Sequence, residues 1–233
     1  MNIHLTVKFS IAFVALLFVM SEAHEIVHIT VGRLLCGCWG ARDFNVWGLC
    51  EECASPYALF ATFAGPLFTF GMLWIGAFYL KKTKSEQQKS FGYALIFANM
   101  PFARLFQPLT GGGDEVWALT RLLHNHGLAQ VIGFIGIFII TFFPLYRAYS
   151  IVKNKNRALY FILFFLLPVL LVHLVLLGGM NSLLKHGVLS NYWLMGTPVL
   201  ITVWTLIMLT VFLLFRKSIF TLSVTGFQDL QGD

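Results

Sequence analysis

Charge is scarce in this chain. Only 11% of its 233 residues are Asp, Glu, Lys or Arg, against roughly 25% in a soluble domain. That shortage excludes a fold whose whole surface meets water, because too few charged side chains exist to cover it. Long polar connections are missing as well. The longest link between apolar stretches is about twenty residues, which leaves no room for a soluble domain between them. Cysteine is absent outside residues 36–53. The net charge of +6 reads as a signal for membrane orientation rather than nucleic-acid binding, and "HNH" (124–126) has no companion nuclease pattern.

What the chain has instead is apolar length. Six stretches, at 3–35, 57–80, 91–109, 128–147, 159–179 and 196–215, are long enough to cross about 30 Å of hydrocarbon at about 1.5 Å per residue. The expected fold is an all-α, multi-pass membrane protein with six transmembrane helices. Its cationic residues gather unevenly. "KKTKSEQQKS" (81–90) holds four Lys, "RAYSIVKNKNR" (147–157) holds two Arg and two Lys, and Arg216 and Lys217 follow the last span. With six spans these regions share one side, and the positive-inside rule places that side and both termini in the cytosol. Arg42 and Lys185 fall in the opposite loops, with Arg33, Arg104 and Arg121 near their edges.

Polar residues inside an apolar span ask for a reason. "HEIVH" (24–28) fits H-E-x-x-H within the first span. On a helix four residues advance about 400°, so His24 and His28 lie one turn apart on one face and can chelate a single zinc ion. Glu25, about 100° round from His24, stands beside that ion, where it can take a proton from water. Burying Glu near a helix centre costs on the order of 2–3 kcal/mol, whereas a structural zinc site contributes on the order of 10 kcal/mol. The balance favours a metal. Two other readings fit the same letters. "MNIHLTVK", "FSIAFVALLFVM" and "SEA" can serve as a signal peptide cut after Ala23. Alternatively, Glu and His can bond each other in a packed helix that holds no metal.

"HEIVHITVGRLLCG" resembles the first motif of the site-2 protease group of intramembrane zinc metalloproteases, with Arg33 at that motif's Arg position. Gly32 stands where Ala is usual, and Cys36-Gly37 where Gly is expected. "FAGPLFTF" (63–70) resembles the Ala-Gly-Pro-Leu stretch of the group's next core helix, although Thr69 or Phe70 replaces a common Asn. The resemblance covers spans one to four and implies a metalloprotease core over 1–127, completed by the first of three further helices in 128–215. A short tail, 216–233, follows. The last two spans match no motif of the group, and no regulatory domain of the kind some members carry is inserted.

A catalytic zinc usually takes three protein ligands. Candidates beyond the first helix are Asp114, Glu115, His124, His126, His173 and His186. "PLTGGGDEVW" (108–117) breaks the third span with three glycines and follows them at once with acids. Irregular backbone at membrane depth belongs where it is buried in protein or lines a watery cavity. The resembling group draws its remaining ligand, an Asp, from such a break, so Asp114 is the expected third ligand and Glu115 its rival. His173, mid-span in "LLPVLLVHLVLL", and Asn99, before Met100-Pro101, are possible supporting residues.

All four cysteines fall in "CGCWGARDFNVWGLCEEC", as C-x-C and C-x-x-C. Cys36, Cys38, Cys50 and Cys53 can hold a structural metal together or pair as two disulfides, and a loop outside the cytosol favours disulfides. Alternation in "RDFNVW" suggests a strand. The resembling group often has a β-hairpin here that holds substrate extended. The expected function is hydrolysis of peptide bonds in or near transmembrane segments of other proteins, with Zn2+ as cofactor and the lipid bilayer as surroundings. A non-catalytic scaffold that binds a partner helix or metal, and a metal or proton transporter, are the alternatives.

Overall fold

The chain is described by a computed structural model over residues 1–223. Thr6 starts the first helix: its hydroxyl accepts from the Phe9 N–H at 3.1 Å, and α1 (Val7–Cys36) runs 30 residues until Gly37 turns left-handed. After the cysteine loop come α2 (Leu59–Tyr79) and α3 (Glu86–Ala98), the latter started by Ser85 and Gln88, which cap each other reciprocally. Four further helices are α4 (Pro101–Leu109), α5 (Asp114–Leu123), α6 (His126–Ile151) and α7 (Arg157–Val172). A π-helical stretch, His173–Met180, joins α7 to α8 (Asn181–Lys185). The chain then enters α9 (Val199–Phe215) and a 3₁₀ segment, Arg216–Thr221.

Among the described residues, five helical stretches are long and apolar enough to cross a membrane: Val7–Cys36, Leu59–Tyr79, His126–Ile151, Arg157–Lys185 and Val199–Thr221. These are compatible with an integral membrane protein, and Ile139, Leu174 and Leu214 are among the large apolar side chains left on the outside. Six were expected. The third, over 91–109, is split instead into α3 and α4. Proline disfavours helical backbone in the residue before it, and Met100 ahead of Pro101 takes a left-handed conformation with φ 47°. The expected β-hairpin also does not form. Within 36–53 there is one isolated antiparallel bridge, Arg42 to Trp47, and the described residues contain no sheet. Two disulfides, Cys36–Cys53 and Cys38–Cys50, hold the loop in that compact shape.

α1 is the centre of the assembly. On its N-terminal half, Phe9, Phe13 and Leu16 pack with Tyr93 and Phe97 of α3 and Phe164 of α7. Further along, Leu17 and Phe18 pack with Leu200 and Ile201 of α9 and with Phe44, which the cysteine loop dips into the core. At one end of the bundle the basic regions meet the N-terminal segment. Lys153 N–H donates to the Met1 carbonyl, Asn154 pairs with the Ile3 backbone, and Ser223 meets Glu86 and Ser90. Of the expected short tail, residues 224–233 lie outside the described residues.

Candidate metal centre

α1 enters the centre with three buried polar side chains in sequence register. His24, Glu25 and His28 are 5%, 8% and 0% exposed. The i, i+4 spacing sets both imidazoles on one face, and their Nε2 atoms lie 3.1 Å apart. Each ring is held from behind. His28 donates from Nδ1 to the Ala61 carbonyl at 2.7 Å and stacks on Trp47, the ring centroids 4.6 Å apart. His24 Nδ1 meets the Thr69 hydroxyl at 2.9 Å. With Nδ1 carrying the proton, each Nε2 presents a bare lone pair to the centre, the arrangement by which metal-binding histidines are oriented.

α2 can lie this close only because of Gly65. A Cβ there would come within 2.2 Å of His28 Nε2 and 2.6 Å of His24 Cε1. The Ala-Gly-Pro stretch thus places a position without a side chain, Gly65, against both rings.

The third group arrives from the broken segment. Gly111 and Gly113 sit at φ 81° and 93°, backbone that L side chains rarely adopt, and so turn the chain into α5 with Asp114 as its first residue. Asp114 Oδ2 lies 3.3 Å from His24 Nε2 and 3.5 Å from His28 Nε2. Three lone-pair donors therefore meet at mutual separations of 3.1, 3.3 and 3.5 Å. Ligand atoms about 2.0–2.2 Å from a tetrahedral zinc sit roughly 3.3–3.6 Å from one another. The donor set fits that ion in type and in spacing.

Glu115, the rival ligand, turns away. Its carboxylate is buried, 4.0 Å from the Arg104 guanidinium, and neither oxygen lies in the donor cluster. Glu25 lies beside the donors rather than among them, and its Oε2 is buried without a hydrogen-bond partner. Arg104, on α4, reaches in from the side: it donates to Asp114 Oδ2 at 3.1 Å, and its Nη2 lies over the His24 ring, 2.8 Å from Nε2 and 3.3 Å from Nδ1. Two carboxylates, Asp114 and Glu115, lie within 4.0 Å of this largely buried guanidinium, and buried Glu25 is a third acid at the same centre. Ionised, they leave an excess of negative charge that a divalent cation balances. Unpaired buried charge is expensive, so the surroundings fit a metal as well as the ligands do.

A cavity of about 830 Å³ opens onto His24, Glu25 and Asp114. Trp47, Asn99, Arg104 and His173 also line it. Asn99 spends its side-chain N–H on the Leu95 carbonyl at 2.7 Å, and His173 bonds Val169 of its own helix at 3.2 Å; neither joins the donor cluster. Of the other histidines considered as ligands, His126 borders the cavity and meets Thr120, and His186 bonds Ser182. Arg33 lies over Trp39 outside the centre.

Several residues of the centre were not singled out from the sequence. Arg104 was placed only near a loop edge, although a cation within an apolar stretch is itself a signal. Trp47 gave no signal by type, and Gly65 stood in the Ala-Gly-Pro-Leu stretch without a role of its own. A second buried ion pair, Glu22 with Arg42, ties the cysteine loop to α1 close to His24, and Arg42 also donates to Thr197 at 2.8 Å. The cysteines pair as disulfides, so no Cys₄ metal site forms. The chain matches no protein-family model, no curated protein and no solved structure.

Proposed function

We propose that this protein is an intramembrane zinc metalloprotease that cuts peptide bonds in or near transmembrane segments of other membrane proteins. The observation that carries the reading is the convergence of His24 Nε2, His28 Nε2 and Asp114 Oδ2 at 3.1–3.5 Å, with unpartnered Glu25 beside them on an open cavity. Held by those three residues, zinc supplies Lewis acidity that polarises a peptide carbonyl and acidifies water.

Glu25 does the proton work. Its free carboxylate oxygen takes a proton from the attacking water as the new C–O bond forms. The same oxygen returns that proton to the amide nitrogen as the C–N bond breaks. Thr69 and Ala61 keep the two imidazoles oriented through the cycle, and the apolar walls limit competing water. A helical substrate hides its carbonyls in its own hydrogen bonds, so segments of weak helicity are the expected substrates.

The basic end of the bundle faces the cytosol in this reading, and the disulfide loop faces an oxidising compartment. His24 lies nearer Cys36 than Val7, which puts the centre closer to the loop side of the membrane.

The test uses purified full-length protein in detergent, with zinc content and cleavage of a transmembrane peptide measured together. Glu25→Gln should lower cleavage by about 10²-fold to 10⁴-fold while zinc is retained. His28→Ala should lose both. Normal cleavage by Glu25→Gln refutes the enzyme. Zinc bound without cleavage by the unaltered protein makes the chain a metal-binding scaffold, and metal flux in liposomes makes it a transporter. Intact mass showing a chain that begins at His24 removes the helix on which the centre depends.

A further inference from the structure

Arg104 is an unusual neighbour for a metal site. Its guanidinium lies over the His24 ring, 2.8 Å from Nε2 and 3.3 Å from Nδ1, and donates to Asp114 Oδ2 at 3.1 Å, so a fixed positive charge already stands against two of the three atoms that a cation would use. Two positive charges a few ångströms apart in a site shielded from water repel each other strongly. Zinc and Arg104 therefore compete for the same atoms.

A second place for the guanidinium exists next door. Glu115 Oε1, Glu115 Oε2 and Gln107 Oε1 are all buried, and none has a hydrogen-bond partner beyond a contact of Glu115 with its own backbone. They are gathered rather than scattered. Gln107 Oε1 and Glu115 Oε2 lie 3.3 and 3.4 Å from the point a Cβ on Gly113 would occupy. Arg104 Nη1 is already 4.0 Å from Glu115 Oε2. Buried acceptors left unmatched are costly and rare in native proteins. A planar donor fork suits a carboxylate with an amide oxygen at its side. The lack of a side chain at Gly113 keeps the space between them open.

We propose that Arg104 is a built-in competitor for the metal, which swings from His24 and Asp114 onto Glu115 and Gln107 as a divalent cation enters. The inference rests on the metalloprotease reading and deepens it: metal loading is set by a two-position arginine. In the first position the guanidinium supplies the positive charge beside the converging donors. In the second it neutralises Glu115, while the cation takes over the donors. Glu115, rejected as a ligand, thus becomes the receiving group.

The experiment measures zinc affinity of purified full-length protein by competition with a chromogenic chelator, so the readout does not depend on cleavage. Arg104→Met removes the competitor and should tighten zinc roughly tenfold to hundredfold, the worth of one charged hydrogen bond. Glu115→Gln keeps the shape but removes the receiving charge, and should weaken zinc roughly tenfold. In the Arg104→Met background the Glu115→Gln effect should shrink to less than about twofold, because nothing remains to be received. Monodisperse elution and an unfolding transition check that each variant folds; Glu115→Gln, nearly isosteric, serves should Arg104→Met fail that check. Weaker zinc in Arg104→Met overturns the inference and makes Arg104 a support for Asp114. An equal Glu115→Gln effect in both backgrounds, or none in the unaltered protein, overturns it too. Should the unaltered protein bind no zinc, the metalloprotease reading and this inference fall together. Should it bind zinc without the predicted pattern, only the inference falls.

Discussion

On the α1–α2 side of the centre each ring nitrogen that faces away from the donors is engaged, His28 by Ala61 and His24 by Thr69, and Trp47 covers the His28 face. On the α4–α5 side, Asp114 follows a glycine turn, and Glu115 and Gln107 carry buried oxygens without partners. The difference teaches where the centre is rigid and where it can move. Two histidines on one helix are positioned by local geometry and need only orienting bonds. A carboxylate delivered by irregular backbone depends on the turn that carries it. Rigid ligands with a movable third member suit a site that must exchange an internal cation for a metal.

The comparison breaks most severely at Gly65. Gly65→Ala drives a methyl group to within 2.2 Å of His28 Nε2, with helix α2 behind it. Zinc content should fall to background by elemental analysis, with a loss of stability of about 1–3 kcal/mol from overpacking. Retained zinc in that variant would show that α2 can retreat, and that this side is not rigid.

The strap that holds the cysteine loop over the rings is the larger test of stability. Arg42→Ala leaves Glu22 buried without its partner and should lower stability by about 3–5 kcal/mol in thermal unfolding. Replacing both residues by Met and Leu should recover most of that loss, because two apolar side chains leave no orphan charge.

Thr69→Val tests orientation alone. The side chain keeps its volume but loses the contact with His24 Nδ1, and zinc affinity should drop about tenfold to hundredfold. A change confined to stability would mean that packing, not the hydroxyl, orients the ring. The smallest effect is expected at Gly113. Gly113→Ala at φ 93° should cost about 1–2 kcal/mol of stability and displace Asp114. If zinc affinity stays unchanged while stability falls, the third ligand is less dependent on the turn than the two-sided description holds.

Much of the architecture was legible because bilayers restrict the choices. Apolar length marked the crossing helices, and three glycines after Pro108 marked the irregular segment that carries Asp114. Counting 91–109 as one span overlooked that Met100 cannot continue a helix into Pro101 without distortion. "RDFNVW" alternates like a strand, yet crosslinks at both ends and Phe44 in the core hold it as a compact loop. Period-two patterning counts for little in six residues between two covalent ties.

The sequence alone determined the pairing of His24 with His28, because an i, i+4 spacing on a helix is a local matter settled by 3.6 residues per turn. It also determined that an acid would follow a glycine break. Only the tertiary structure decided between Asp114 and Glu115. Adjacent residues on a helix point about 100° apart, and which of them faces α1 depends on how α5 packs, not on its letters. The same holds for the cysteine partners, for Gly65 against the imidazoles, and for Arg104. Each joins positions far apart in the chain, and no local rule reaches that distance.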